Sequence, residues 1–305
     1  MATNQLRFDG RVAIVTGAGR GIGRAYARLL AERGAAVVVN DLGGSMAGQG
    51  ADPAPATAVA TEIVAAGGTA VADTHDVATE EGARALVDTA VARFGRVDVL
   101  VNNAGIMRWA AMPEVDGAAI EAHLAVHVLG SFHTARAAWP HMVAQRYGRI
   151  VMTTSSGMLG NPGNLAYAIA KGGTVGMMRS LATAGREHGI TVNCIAPAAY
   201  TRMAGTGADP TDDDPMAVRM APELVAPMVA LLTHESCPVS GEIYTAGAGR
   251  FARLFVASTE GYVHDAGAPT VEDVAAHWDA VNDESGYYVP ADLMDWSARF
   301  TAHQR

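Results

Sequence analysis

The stretch "RVAIVTG", residues 11–17, runs without a break into "AGRGIG", 18–23, and then into an amphipathic segment ending near Arg33. A short, wholly apolar, β-branched run fits a strand buried on both faces, and such strands belong to parallel sheets with helices on either side. The glycines then force a tight strand-to-helix turn. This one segment therefore rules out a sandwich, a bundle or an up-and-down barrel as the chain's main architecture.

The rest of the chain repeats the alternation. Apolar runs recur at 35–41, 69–76, 97–105, 148–154, 189–197 and 241–247. Helical periodicity fills about 21–33, 55–67, the stretch "EEGARALVDTAVARF", 117–143 and 164–186. Right-handed crossovers between such strands give a doubly wound α/β fold of the Rossmann type with a parallel sheet of about seven strands. We expect one catalytic and nucleotide-binding domain over 1–250. A C-terminal extension follows over 251–305, packing on that domain or on a neighbouring subunit. It carries a short amphipathic helix, "TVEDVAAHWDAV", and four aromatic residues, Trp278, Tyr287, Tyr288 and Trp296.

The glycine-rich turn has a ligand chemistry. Gly17, Gly21 and Gly23 allow the backbone to approach a pyrophosphate, and the N–H groups of Arg20, Gly21, Ile22 and Gly23 open the helix that follows. A helix N-terminus attracts anions through its unpaired donors and its dipole. Asp41 ends the second apolar run, where a carboxylate accepts both hydroxyls of an adenosine ribose. That carboxylate repels a 2′-phosphate, which favours NAD over NADP, although the Arg20 guanidinium argues the other way.

Composition narrows the function classes. A formal net charge of -9 argues against nucleic acid as the main partner. No apolar stretch reads as a membrane span, and "MATNQLRFDGR" has no signal-peptide core. "TAHQR" is not a Ser-Lys-Leu type address, and the two cysteines, Cys194 and Cys237, suit a reducing compartment. A cytoplasmic protein with no membrane partner is the expectation. His123 and His127 stand four apart, but "HLAVH" lacks the glutamate of a zinc-protease helix, so no metal site is expected.

"SSGMLGNPGNLAYAIAK", residues 155–171, carries the second chemical signal. Tyr167 and Lys171 are four apart and share one helix face. A phenol titrates near about 10 in water, too high for proton transfer near neutrality unless a cation stabilises its anion. Lys171 and a positive nicotinamide ring are two such cations, and Lys171 is also placed to hold a ribose. A serine from the end of the fifth strand, Ser155 or Ser156, is placed to share charge on a substrate oxygen.

With "TGAGRGIG", "NNAG" and "YAIAK" in this order, residues 7 to about 250 resemble the short-chain dehydrogenase/reductase family. The resemblance implies that Asp76 and Val77 pack against the adenine and that Asn103, Ala104 and Gly105 lie beside the adenosine ribose. It also implies that Pro197 to Thr201 meet the nicotinamide carboxamide, here with "PAAYT" in place of the family's Pro-Gly. Segments such as "VVVNDLGG", "GSFHTARAAWPHM" and "HESC" are similar to the (3R)-hydroxyacyl-CoA dehydrogenase part of the peroxisomal multifunctional enzymes. The implied activity is NAD-dependent interconversion of a secondary alcohol and a ketone, with a 3-hydroxyacyl-CoA or a steroid side-chain equivalent as substrate. A small alcohol, a sterol or a terpenoid is the alternative substrate, and a non-catalytic NAD-binding regulator is the alternative function. The helices at 117–143 and 164–186 resemble the family's dimer surfaces, so a homodimer or homotetramer is expected.

Two positions depart from the family's pattern. His127 stands in "AVHVLG" where the wider family has a catalytic Asn, and reads either as a substitute in a proton relay or as a core histidine. The loop before Tyr167 is one residue short: alignment from "GRIV" selects Ser155, whereas counting back from Tyr167 lands on Thr154. Ser155 is taken as the catalytic hydroxyl. "DPTDDDP", 209–215, falls where the family carries a mobile substrate lid.

Overall fold

The computed structural model describes residues 5–204, 211 and 214–304. Eight strands form a single sheet: β1 Val12–Thr16, β2 Ala36–Asn40, β3 Thr69–Asp73, β4 Val99–Asn102, β5 Gly148–Thr153, β6 Ile190–Pro197, β7 Ile243–Gly247 and β8 Arg250–Leu254. Their order is β3-β2-β1-β4-β5-β6-β7-β8, and every pair from β3 to β7 is parallel. The direction of travel reverses between β1 and β4. At that switch point the chain leaves neighbouring strands towards opposite sides, which opens a crevice at their carboxyl ends.

Helices cover both faces, as the continuous apolar strands require. On one face α1 Gly21–Glu32, α2 Ala54–Ala65 and α8 Ala226–Thr233 close the core with Leu30, Val59, Ile63, Val229 and Leu232. On the other lie α3 Glu80–Phe94, α4 Gly117–His123, α5 Gly130–Gln145 and α6 Leu165–Gly185. Thr79 and Asp116 cap α3 and α4 by accepting from the N–H groups of Gly82 and Ala119. At the amino end of the sheet, the Asp98 carboxylate is fully buried. It accepts from Arg11, from Arg96 and from the Val12 N–H, which makes this rim structural.

Up to residue 254, four elements depart from the expectations drawn from the sequence. The expected seventh strand turns through Gly249 into an eighth. The expected helix over 117–143 is interrupted, because Leu124–Leu129 is a π-helical turn between α4 and α5. Between β6 and β7, where the sequence reading placed no helix, α7 Pro215–Arg219 and α8 appear. Pro222 and Pro227 make that stretch look like loop, but proline is well tolerated in the first turn of a helix. The same stretch, 215–233, has the length and apolarity of a membrane span. It is broken in the middle, and the Ala226, Val229 and Leu232 side of α8 is buried in the core. The fourth departure is β3, which ends at Asp73 because that carboxylate turns back to accept from the His75 N–H.

The chain divides into two compact units, Met1–Arg253 and Leu254–Arg305. The second holds α9 Val271–Ala276, α10 Trp278–Val281 and α11 Leu293–Phe300. The single helix expected from "TVEDVAAHWDAV" is thus two, parted at His277, whose ring stacks on Tyr262 at 3.9 Å. Tyr288 exchanges backbone hydrogen bonds with Ser258, and Trp296 stacks on Phe300. The aspartate-rich segment 209–215 lies mostly outside the described residues; within it, Asp214 caps α7.

Candidate active site

The crevice at the β1–β4 switch point holds a cavity of about 330 Å3. Its floor is the turn from β1 to α1. Gly17 adopts φ +61°, and a Cβ there would stand 2.8 Å from the Ala104 Cα, so a side chain is excluded twice over. Asn103 stitches this turn to β4: its side chain donates to the carbonyls of Thr16 and Gly17, both at 3.0 Å. The Thr16 hydroxyl accepts from the N–H groups of Asn103 and Ala104 in return. The first turn of α1 has no acidic residue, and Arg20 at its N-cap makes no side-chain capping bond. An uncapped helix start facing a cavity suits a diphosphate.

Asp41 is locked in the cavity wall. Its Oδ2 accepts from the Gly19 N–H at 2.8 Å and its Oδ1 from the Gly43 N–H at 2.7 Å. Gly17, Arg20, Gly21, Ile22, Gly23, Asp76, Val77, Ala104, Gly105 and Thr201 line the same cavity, as do Asp41 and Asn103. Pro197, Tyr167 and Lys171, also expected at the cofactor, do not line it. The cavity fits a dinucleotide's adenosine and phosphates: it offers backbone donors, a fixed carboxylate and a glycine-lined floor.

The second cluster lies at the carboxyl ends of β5 and α4 and on α6. Tyr167 and Lys171 share a face of α6, with the Lys171 Nζ 5.4 Å from the phenol ring centroid. The Ser155 hydroxyl lies close enough to the phenol to draw its pKa down and accepts from the Gly157 N–H at 3.0 Å. Thr154, the other candidate, is fully buried and donates to the Lys171 carbonyl at 2.8 Å. The structure therefore brings Ser155, and not Thr154, to Tyr167.

One expectation needs correction. The sequence leads one to expect Lys171 as an ammonium that lowers the phenol's pKa. In the protein alone, burial raises the Tyr167 pKa, with only the Ser155 hydroxyl opposing it. Lys171 is itself buried, which brings its pKa down to about 7 against a small opposing influence of Cys194. Its Nζ donates to the Thr153 carbonyl at 2.6 Å rather than to the phenol. Two buried groups whose ordinary charges both face desolvation each drift towards neutrality.

His127 lies in the π-helical turn, a local winding often found at functional sites. Its Nε2 is 2.9 Å from the Ile106 carbonyl and 3.1 Å from the Ile106 N–H, while its buried Nδ1 has no hydrogen-bond partner among the described residues. The ring meets Tyr167 edge to face at 5.4 Å and stacks on His123 at 5.8 Å. Burial holds both histidines below the usual range, His127 well below, so both are neutral near pH 7. His123 donates from Nδ1 to the Ala119 carbonyl and accepts at Nε2 from the Arg108 N–H. Among the described residues no group of three or more His, Cys, Asp or Glu side chains forms a metal site.

Sequence reasoning missed four contributors. The Thr153 carbonyl that holds Lys171 is backbone and leaves no side-chain signal. Asn102 accepts from Thr134 and donates to the Ser131 carbonyl, which fixes α5, and with it the π-helical turn, against β4. Arg108 and Arg202 line the cavity, and neither lies in a motif that points to it.

A dinucleotide cavity at a switch point, with a tyrosine, a lysine and a serine gathered beside it, defines a nucleotide-dependent oxidoreductase of the doubly wound class. The comparisons with known proteins agree. The profile of the short chain dehydrogenase family matches residues 11–207. A Mycobacterium tuberculosis protein named as a short-chain type dehydrogenase/reductase is 44% identical over 277 residues, covering 90% of this chain and 95% of that protein. Mouse peroxisomal multifunctional enzyme type 2 is 44% identical over 293 residues, covering 95% of this chain but 39% of the enzyme. The structure of the full-length Drosophila melanogaster multifunctional enzyme type 2 superposes with a TM-score of 0.80 at 34% identity, over 98% of this chain and 50% of that one. This chain belongs to the short-chain dehydrogenase/reductase family, whose members bind a nicotinamide cofactor.

Proposed function

We propose that the protein is an NAD-dependent dehydrogenase that interconverts a secondary alcohol and a ketone, with a 3-hydroxyacyl-CoA as the alcohol. The observation that carries the reading is the Tyr167 phenol, with the Ser155 hydroxyl beside it and Lys171 one helical turn away. Oxidation of the alcohol removes a hydride from its carbon, chemistry that a nicotinamide held in the cavity would supply, and a proton from its oxygen. Tyr167 takes that proton as its phenolate, and Ser155 donates to the substrate oxygen and holds it in line. Lys171, one helical turn from Tyr167 and held by the Thr153 carbonyl, would hold the nicotinamide ribose. His127 passes the proton onward through its neutral imidazole.

NAD is preferred because the Asp41 carboxylate, fixed by two backbone donors, meets a ribose hydroxyl favourably and a 2′-phosphate unfavourably. The CoA thioester rests on the likeness to the multifunctional enzymes over nearly the whole chain. Exposed Leu129 and Phe132 on and beside α5, with Ile169 on α6, support a homo-oligomer built through these helices.

The test is absorbance at 340 nm on mixing the protein with NAD, or NADP in parallel, and a panel of 3-hydroxyacyl-CoAs, sterols and small secondary alcohols. Acyl-CoA turnover with NAD is expected, and Tyr167→Phe should lower it by roughly 10²–10⁴-fold while NADH still binds. Turnover of free alcohols alone would remove the thioester, and binding without any turnover would favour a regulator.

A further inference from the structure

Arg202 follows Thr201 in the turn after β6 and lines the same cavity as Arg20, Gly21 and Ile22. That turn lies directly over the phosphate cradle, since a Cβ built on Gly21 would stand 3.4 Å from the Thr201 Cγ2. The start of α1 contributes N–H groups and about half a positive charge. A diphosphate diester carries two negative charges, more than the helix start alone offsets.

Arg202 also touches the loop after β2. Its Nη2 reaches the Gly44 carbonyl at 3.5 Å, a bond at the long limit that leaves the guanidinium fork with donors to spare. The same loop is gripped from the β4 side, where the Arg108 Nε donates to the Ala47 carbonyl at 2.9 Å and the Met107 N–H to the Met46 carbonyl at 2.8 Å. Residues 44–48 thus run as a strap between the segments that follow β4 and β6, and Gly44, Ser45 and Gly48 face the cavity.

We propose that Arg202 is a pyrophosphate-binding residue: its guanidinium closes on the cofactor's phosphates from the β6 side, opposite the α1 N-terminus, while it holds the strap through Gly44. The planar fork of arginine matches phosphate oxygens in pairs, which a lysine point charge does not reproduce. The proposal rests on the dinucleotide reading of the cavity.

The experiment is competition by ADP-ribose and by adenosine against NADH fluorescence, in the wild type, Arg202→Gln, Arg202→Lys and Arg108→Gln, with thermal melts to establish folding. Both probes occupy the adenosine site, and only ADP-ribose carries the pyrophosphate. Arg202→Gln should weaken ADP-ribose by roughly 10–100-fold, the range for a lost charge-assisted hydrogen bond, and leave adenosine within about twofold. Arg202→Lys should fall between, and the salt dependence of ADP-ribose binding should flatten in the glutamine variant. Arg108→Gln, which loosens the strap from the other side, should not separate the two probes. Unchanged ADP-ribose affinity in Arg202→Gln, or equal losses for both probes, would overturn the assignment. A wild type that binds neither probe would instead overturn the dinucleotide reading beneath it.

Discussion

Gly105 and the His127 ring touch with no room for a methyl group: a Cβ on Gly105 would stand 2.5 Å from His127 Cε1 and 3.0 Å from Nδ1. Gly105 also lines the nucleotide cavity, and His127 also meets Tyr167 edge to face. Gly105 therefore stands between the nucleotide cavity and the Tyr167 cluster, and the His127 ring packs against it with no space for a side chain.

Gly105→Ala should displace the His127 ring and disturb Tyr167 through it, at a stability cost of about 1–3 kcal/mol from overpacking. Displacements of about 1 Å near reacting groups cost roughly 10²-fold in turnover, and that is the expected loss in kcat. NADH affinity should change far less. His127→Asn removes the ring that the new methyl would strike, so the Gly105→Ala/His127→Asn pair should lose less than the product of its two single losses. Strict multiplicativity in that double-mutant cycle would show that the two residues act independently.

The nucleotide half of the site was far more legible in sequence than the catalytic half. The cradle is written in glycines, whose backbone freedom has few other uses in a strand-to-helix turn, and Asp41 sits where a strand ends. Tyr167 and Lys171 could be paired by helical spacing, but the burial that sets both of their pKa values is tertiary and has no local signature. The π-helical turn at Leu124–Leu129 was invisible for a similar reason: its residues carry ordinary helical periodicity, and packing winds them more loosely. Thr154 and Ser155 could be separated only by seeing which hydroxyl was already spent inside the core.

Lys171 gives a pH signature in stability. Its folded pKa of about 7 lies below the unfolded value near about 10.4. Between those values the unfolded chain binds the extra proton, so wild-type stability rises as pH climbs from about 7 towards 10 and is lower by a constant amount below 7. Lys171→Met removes this titration and the buried ammonium. The variant should lose turnover yet unfold at higher denaturant than wild type at pH 6, with the gap closing as pH approaches 10. A gap that stays constant across that range would mean Lys171 is not desolvated as the structure has it.

The proposed preference for NAD rests on the Asp41 carboxylate, which the Gly19 and Gly43 N–H groups hold in place. Asp41→Ser removes the charge and keeps a hydroxyl that can accept from the Gly19 N–H in place of Oδ2. The ratio of kcat/KM for NAD over NADP should fall by roughly 10–100-fold, mostly through a gain with NADP, where a like-charge clash has been relieved. If NAD alone worsened and NADP stayed flat, the carboxylate would be holding the loop rather than choosing the ribose.

Tyr26 tests the accounting of buried polar groups away from the chemistry. It lies on α1, is 1% exposed, and its hydroxyl has no hydrogen-bond partner among the described residues. Burial pushes its pKa far above the ordinary phenol range, so it takes no part in titration near neutrality. A buried hydroxyl without a partner costs about 1–3 kcal/mol, and phenylalanine keeps the ring that fills the site. Tyr26→Phe should therefore raise the denaturant midpoint by an amount equivalent to about 1 kcal/mol, with an unchanged m-value. NADH affinity should not move, because Tyr26 does not line the cavity. A loss of stability of similar size would reveal that the hydroxyl is bonded after all, most simply to a buried water.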